Sequence, residues 1–342
     1  MAKQEIGNVY TDIRQILDIA RNKAYKAINF AMVEAYWNIG KIIIKEEQKG
    51  KERAEYGSYL IKELSKRLTK EFGKGFDERN LWYMKSFYVA FPILNALRSQ
   101  LSWTHYRLLL KIEKEESRQF YMIECVNNKW STREFERQIN SLLYERLILS
   151  KSSKKIKDLS FKGQEIQTPK DLIKDPYILE FLNIKDNYTL IEKDLESILV
   201  EKLKQFVLEL GKGFSFVSRQ KRITLGGDHY YVDLVFYNYI LKCFVLIDLK
   251  TGKLTHHDIG QMDFYVRYFE KEVKSRDDNK TIGLILCTDK NETMVKYTSL
   301  NDNKNIFASK YKLYLPTVEE LKNEISRERK QIELEQKLKK VN

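Results

Sequence analysis

Two apolar runs with a period of two, DHYYVDLVFYN from Asp228 and CFVLIDLK from Cys243, constrain the fold of this chain more than anything else in it. Alternation in the second run puts Phe244, Leu246, Asp248 and Lys250 on one face and Val245, Ile247 and Leu249 on the other. In the first run Val232, Leu234 and Phe236 share one face, and Asp233, Val235 and Tyr237 the other. A short turn around Asn238 and Tyr239 pairs the two runs as a hairpin, which brings Asp233 and Asp248 within reach of one ion. A buried apolar strand does not end in Asp and Lys on one face unless both are satisfied or used.

The pattern around this hairpin changes along the chain. Upstream of about residue 150 nearly everything has helical period, with helices expected near 8–48, 56–71, 77–90, 103–111, 115–127 and 131–148. Start signals mark several of them: Asp77 before Glu78, Ser102 before Trp103, and Ser131 with Glu134 as a capping box. Short helices joined by short turns suit a helix-turn-helix or winged-helix arrangement. Trp82, Trp103 and Trp130 are expected in its core. Residues 151–188 are basic and hold Pro169 and Pro176, so they read as a linker. From 189 to 318 the order becomes helix, strands, helix, strand, helix and strand, an α/β domain. Residues 319–342 read as a highly charged helix exposed to solvent.

The wording GGDHYYVDLVFYN…VLIDLKTGKLTHHDIGQMDFYV resembles the YhcG-like family within the PD-(D/E)XK nuclease superfamily. ELGKGFSFVSRQKRI before it and IGLILCTDKNETMVKY after it extend the resemblance over roughly residues 190–320. AYWNIGKII, YGSYLIKELSKRL, GFDERNLWYMKSFYVAFP, LSWTHYRLLL and WSTREFERQI resemble the helical N-terminal domain of the same family. Two departures stand out: Asp248 replaces the more frequent Glu, and Val232 precedes Asp233 where the superfamily's name has proline. The resemblance implies a restriction-endonuclease-like C-terminal domain with a central mixed sheet. It also implies an endonuclease acting in recombination, repair or the control of mobile elements and phage.

Phosphodiester hydrolysis is slowed by charge building on phosphoryl oxygens and by the lack of a nucleophile at neutral pH. A Mg2+ (or Mn2+) ion on Asp233, Asp248 and the carbonyl of Leu249 answers both needs, and two carboxylates without a Cys/His cluster suit a hard ion. Lys250 supplies a positive charge beside it. Gln261, on the helix that opens near His257, is a neutral amide able to hold the attacking water or a phosphate oxygen. Tyr265 lies one helical turn further on the same face and is expected to face the phosphate. The superfamily often carries a third carboxylate on its first helix. In IEKDLESILVEKLKQFVLELG the buried stripe is Leu195, Leu199, Leu203, Phe206 and Leu210, and Glu196 beside it is the expected third ligand.

Charge points to a polyanion: 61 Lys and Arg stand against 48 Asp and Glu, a net +13. Arg219, Lys221, Arg222 and Lys253 flank the proposed site and are expected to track a phosphate backbone, with Tyr265 beside them. DNA is the expected partner, RNA is the alternative polymer, and the helical domain is read as binding DNA, a protein partner or a second copy of the chain. The rival to an enzyme is a nucleic-acid-binding or assembly protein with an idle nuclease fold, against which the intact D…DxK…Q set argues. Cys125, Cys243 and Cys287 sit in apolar contexts and read as reduced core residues of a cytoplasmic protein. A Gly-rich phosphate cradle is missing; Gly226 and Gly227 fit a hairpin turn.

Overall fold

The computed structural model describes residues 2–49, 54–92, 100–149, 153–184, 191–289, 305–317 and 319–320, so the expected charged helix at 319–342 lies almost wholly outside the described residues. The chain separates into two compact units, residues 1–136 and 137–342.

The first unit is helical: α1 (Ala2–Lys49), α2 (Ala54–Phe72), α3 (Glu78–Ala90), α4 (Trp103–Leu109), α5 (Glu115–Asn128) and the start of α6 (Thr132–Asn140). Among its described residues there is no strand. Asp77 caps α3 by accepting from the Asn80 amide, and Ser131 and Glu134 form the reciprocal box at α6. Leu81 and Met84 of α3 pack with Ile43 of α1 and Ile61 of α2. The indole N–H of Trp103 donates to Asn80, whereas Trp82 departs from the core expectation, because it lies on the polar face of α3 with the Lys85 ammonium 4.4 Å from its ring.

The helix expected over 131–148 is broken into α6 and α7 (Leu143–Leu149). Leu142 takes a left-handed φ of 54°, and the Arg146 guanidinium donates to the Ser141 carbonyl and hydroxyl at the break. The stretch after residue 150 carries α8 (Ser153–Lys162), α9 (Pro169–Leu172) and a short strand, β1 (Tyr177–Ile178).

There follow α10 (Glu192–Glu201), α11 (Leu203–Leu210), β2 (Phe214–Leu225), β3 (Asp228–Asn238), β4 (Cys243–Lys253), α12 (His256–Tyr268), β5 (Ile282–Asp289) and β6 (Ile306–Lys312). The strands form one mixed sheet in the order β1-β6-β5-β4-β3-β2. β2, β3 and β4 are an antiparallel meander; β4, β5, β6 and β1 run parallel, and the crossover from β4 to β5 passes through α12. Gly226 and Gly227, at φ 60° and 93°, make the two-residue turn between β2 and β3 that only residues tolerant of positive φ can make easily.

Both faces of the sheet are covered, which explains the double apolar periodicity of β4. Val245, Ile247 and Leu249 pack against Leu195 and Leu199 of α10 and Phe206 and Leu210 of α11. Leu246 on the opposite face packs against Ile259, Met262, Tyr265 and Val266 of α12. The three cysteines are buried thiols; burial is the main reason Cys125 is pushed up to about 12 and Cys243 to about 11, so neither is a ready thiolate. No helix among the described residues is long and apolar enough to cross a membrane.

Candidate active site

The hairpin register carries the acidic residues to one place. β3 and β4 pair from Asn238–Cys243 to Leu234–Ile247, so the next facing pair is Asp233 and Asp248. There the ladder stops being backbone to backbone, and the Leu249 amide donates instead to Asp233 Oδ2 at 2.8 Å. On the other side of β3, Arg219 pairs with Leu234 and Lys221 with Val232, so Gln220 of β2 faces Asp233. Gln220, Asp233 and Asp248 thus form a polar row across three adjacent strands.

Asp248 is 2% exposed, in an apolar strand between two covered faces. Burial raises its pKa to about 7, and the neighbouring Asp233 charge adds to the rise while Lys250 opposes it. Lys250 Nζ lies 2.9 Å from Asp248 Oδ2, 3.6 Å from Glu192 of α10 and 4.0 Å from Asp258 of α12. Burial disfavours its ammonium, yet Asp248 above all, with Glu192 and Asp233, carries the pKa above the usual lysine range. Lys250 is therefore a fixed cation where the N-terminal turns of both covering helices meet the end of β4. Glu192 and Asp258 escape a reading of the sequence, since each is one of many acidic residues in a first helical turn; Asp258 is also the reciprocal cap of Thr255.

Glu196, beside the buried stripe of α10, is 3% exposed, but its surroundings differ from the expectation of a third ligand. Arg219 Nε lies 2.8 Å from one oxygen and the Gln220 amide 2.6 Å from the other. Burial raises the Glu196 pKa against the opposing pull of these two donors. The same Gln220 amide is 3.0 Å from Asp233 Oδ1. Among the described residues no three Asp, Glu, His or Cys side chains converge on one ion, because Glu196 reaches Asp233 only through Gln220. Asp233, Asp248 and the Leu249 carbonyl still suit Mg2+, which keeps several waters and needs only one or two protein carboxylates.

The predicted polar surroundings divide in two. Gln261 is half-buried on α12 and donates to the Tyr265 hydroxyl. Tyr265 is fully buried and donates to the Tyr231 carbonyl at 2.8 Å, so its ring packs in the core and presents nothing to a phosphate backbone. Burial, the leading cause, raises its pKa and keeps the phenol protonated. Lys221 and Lys253 are exposed, Arg222 is exposed and bonded to Thr224 and His229, and Arg219 is tied to Glu196 and Ser197. Gln220 carries no sequence signal: it is neutral, sits between two basic residues on a strand, and belongs to no charged motif.

The raised pKa of Asp248 has a consequence for stability. The folded state holds this proton more tightly than the unfolded chain, whose value is near 3.8. The contribution of this group to the stability of the metal-free protein is therefore fully present below about pH 4 and is lost by about 1.4 kcal/mol per unit as pH rises towards 7. Thermal melting in EDTA between pH 4.5 and 8 should show this decline, and Asp248→Asn should flatten it and melt higher at pH 8. A wild-type profile that rises across this range would contradict the cost of ionising this buried carboxylate.

Residues 170–326 match the YhcG PDDEXK nuclease domain, and residues 12–146 match the DUF1016 N-terminal domain. A curated relative from Escherichia coli (strain K12), carrying the name "Putative nuclease YhcG", is 33% identical over 351 residues, covering 93% of each chain. Two solved structures each align with 39% of this chain and 50% of their own. They are a repair endonuclease from Pyrococcus abyssi (18% identity, TM-score 0.25) and a complex of EndoMS with double-stranded DNA (17%, TM-score 0.27). At those scores neither bears on the reading of this chain.

Proposed function

This chain belongs to the YhcG nuclease family, and from that premise we propose that it is a metal-dependent endonuclease hydrolysing phosphodiester bonds in DNA. The observation that carries the reading is the buried end of β4, where Asp248 meets Lys250 at 2.9 Å and Asp233 stands opposite. Two carboxylates forced together beside one lysine favour a divalent cation, since a doubly charged ion relieves the repulsion that otherwise has to be relieved by a proton. Asp233, Asp248 and the Leu249 carbonyl would hold Mg2+ or Mn2+, and the ion when bound supplies phosphate clamping and acidification of a water. Lys250 offsets charge on the phosphoryl oxygens, and Gln261, its amide oriented by Tyr265, holds the water or a phosphate oxygen. Exposed Lys221, Arg222 and Lys253 contact the backbone of the strand being cut. Glu196 supports Asp233 from behind. The site of action is the cytoplasm, in keeping with three buried, reduced thiols.

Labelled linear, nicked, branched and single-stranded DNA, with RNA as comparison, incubated with and without Mg2+ or Mn2+ test the reading. Cleavage of DNA should require the ion and stop with chelator. Asp233→Ala and Asp248→Ala should abolish cutting and leave the fold and DNA binding near wild type. Full activity in excess EDTA would remove the metal assignment, and cutting confined to RNA would change the substrate.

A second expected outcome concerns the helical unit. Arg79 and Arg107 over the ring of Tyr83 offer cations on an aromatic support, while Lys85 beside the exposed Trp82 is already ion-paired with Glu47 at 2.7 Å. A fragment spanning residues 1–150 should bind duplex DNA with an affinity that drops steeply as salt rises, because each phosphate neutralised releases counterions. A folded fragment indifferent to DNA at low salt would instead make this unit a protein-recognition or self-association domain.

A further inference from the structure

Gln220 is a neutral side chain constrained by its backbone and by two carboxylates. Its backbone φ is 45°, in the left-handed region that non-glycine residues seldom take within a strand. β2 also carries a register shift between Phe216 and Ser218, just before it. The backbone irregularity and the facing position on β2 together aim the amide between two carboxylates: 2.6 Å from Glu196 Oε2 and 3.0 Å from Asp233 Oδ1. Both neighbours only accept when ionised, so the side chain must present its NH2 group, whose two hydrogens serve one carboxylate each. Glu196 is itself gripped on its other oxygen by Arg219. The run Arg219–Glu196–Gln220–Asp233 is thus one continuous chain of polar contacts. It ends on an oxygen of Asp233, whose other oxygen takes the Leu249 amide. With a donor on each oxygen the carboxylate plane is set, and one lone pair per oxygen remains for an ion.

We propose that Gln220 is a positioning residue of the metal centre, holding the Asp233 carboxylate in its metal-binding orientation by anchoring it to the Arg219-clamped Glu196. The proposal rests on the reading of Asp233 and Asp248 as metal ligands. A lysine or arginine at position 220 would compete with the cation, and a carboxylate there would repel both neighbours. A neutral donor with two hydrogens is the group that can fix two carboxylates while leaving the divalent ion as the main positive charge.

The test uses the full chain and calorimetric titration with Mn2+, alongside melting temperature and single-turnover cleavage. Gln220→Met keeps the side chain's length and removes the donors; Gln220→Asn tolerates the left-handed backbone and is too short to span both carboxylates. Each should weaken Mn2+ binding roughly tenfold to a hundredfold, the size usual for losing a support of a metal ligand, with melting within a few degrees of wild type. Cleavage should recover largely at saturating Mn2+. Glu196→Gln should weaken binding similarly, and the double variant with Gln220→Met should be no worse than the poorer single, since both break one link. Wild-type Mn2+ affinity in either Gln220 variant would overturn the proposal. So would losses that multiply in the double variant, or losses matched by a collapse in melting temperature. Asp233→Ala separates the two levels: it should lose the site, and Mn2+ binding unchanged by that substitution overturns the metal reading and the inference with it.

Discussion

Lys250→Met should slow DNA cleavage by a hundred- to a thousand-fold while leaving Mn2+ and DNA affinity close to wild type. That loss corresponds to about 2.7–4 kcal/mol, the usual size for one electrostatic group in a preorganised site. Lys250 is 15% exposed, held between Asp248, Glu192 and Asp258, and kept charged chiefly by Asp248 with help from Glu192 and Asp233, so its position and charge need no rearrangement during reaction. Its ammonium is not a ligand, so the ion's protein contacts survive the substitution. The competing explanation is a structural pair with Asp248. In that case Met leaves a buried carboxylate without its cation, and melting falls unless Asp248 takes up a proton. Single-turnover cleavage and melting measured on one preparation separate the two. A rate loss fully explained by unfolding, with activity returning at low temperature, removes Lys250 from the catalytic groups.

The parts of this molecule that were legible from residues are those where periodicity and chemistry conflict. β4 reads as a strand from alternation alone, and its terminal Asp248 and Lys250 break that pattern with charge, so the structure's juxtaposition of Asp233, Asp248 and Lys250 needed only a hairpin register. Glu196 could be placed on the covered side of α10 from helical spacing. Its partners could not, because they depend on the left-handed turn of the backbone at Gln220, which no residue type there announces. Tyr265 shows the limit of facing rules. It shares a side of α12 with Gln261, yet depth along that side decides that the amide is half-buried and the ring is wholly inside. The strand β1 is two residues long, too short for any period, and its identity comes from pairing with Tyr311 and Lys312 far along the chain. The break between α6 and α7 falls at Leu142, whose left-handed φ no residue type there announces, and the Arg146 side chain bonds to Ser141 across it.

That arginine belongs to the network behind the largest expected loss of stability, which follows from Glu209→Gln. Glu209 on α11 is wholly buried, with Arg146 at 2.5 Å on one oxygen and Arg137 at 3.2 Å on the other. The Ile178 amide of β1 donates to its carboxylate, and Lys174 donates to its carbonyl. Burial alone would raise the pKa of this acid; Arg146, Lys174 and Arg137 outweigh it and bring the value down to about 2. Gln keeps the shape but leaves buried cations without their counter-charge, a change that costs about 3–5 kcal/mol when one partner of a buried pair is lost. The pH dependence gives a second reading of the same quantity. A carboxylate depressed from 4.5 to about 2 contributes stability that is complete above pH 4.5 and lost as pH falls towards 2. Its full size is about 3 kcal/mol. This slope is opposite in sign to that of Asp248 and lies in a lower window, so the summed contribution of these two groups should be greatest near pH 4–5. Urea titrations of wild type and Glu209→Gln at pH 3 and pH 6 check both statements: the variant should lose several kcal/mol at pH 6 and much less at pH 3. Equal losses at the two values would mean that Glu209 acts through shape and hydrogen bonding, with its charge playing no part.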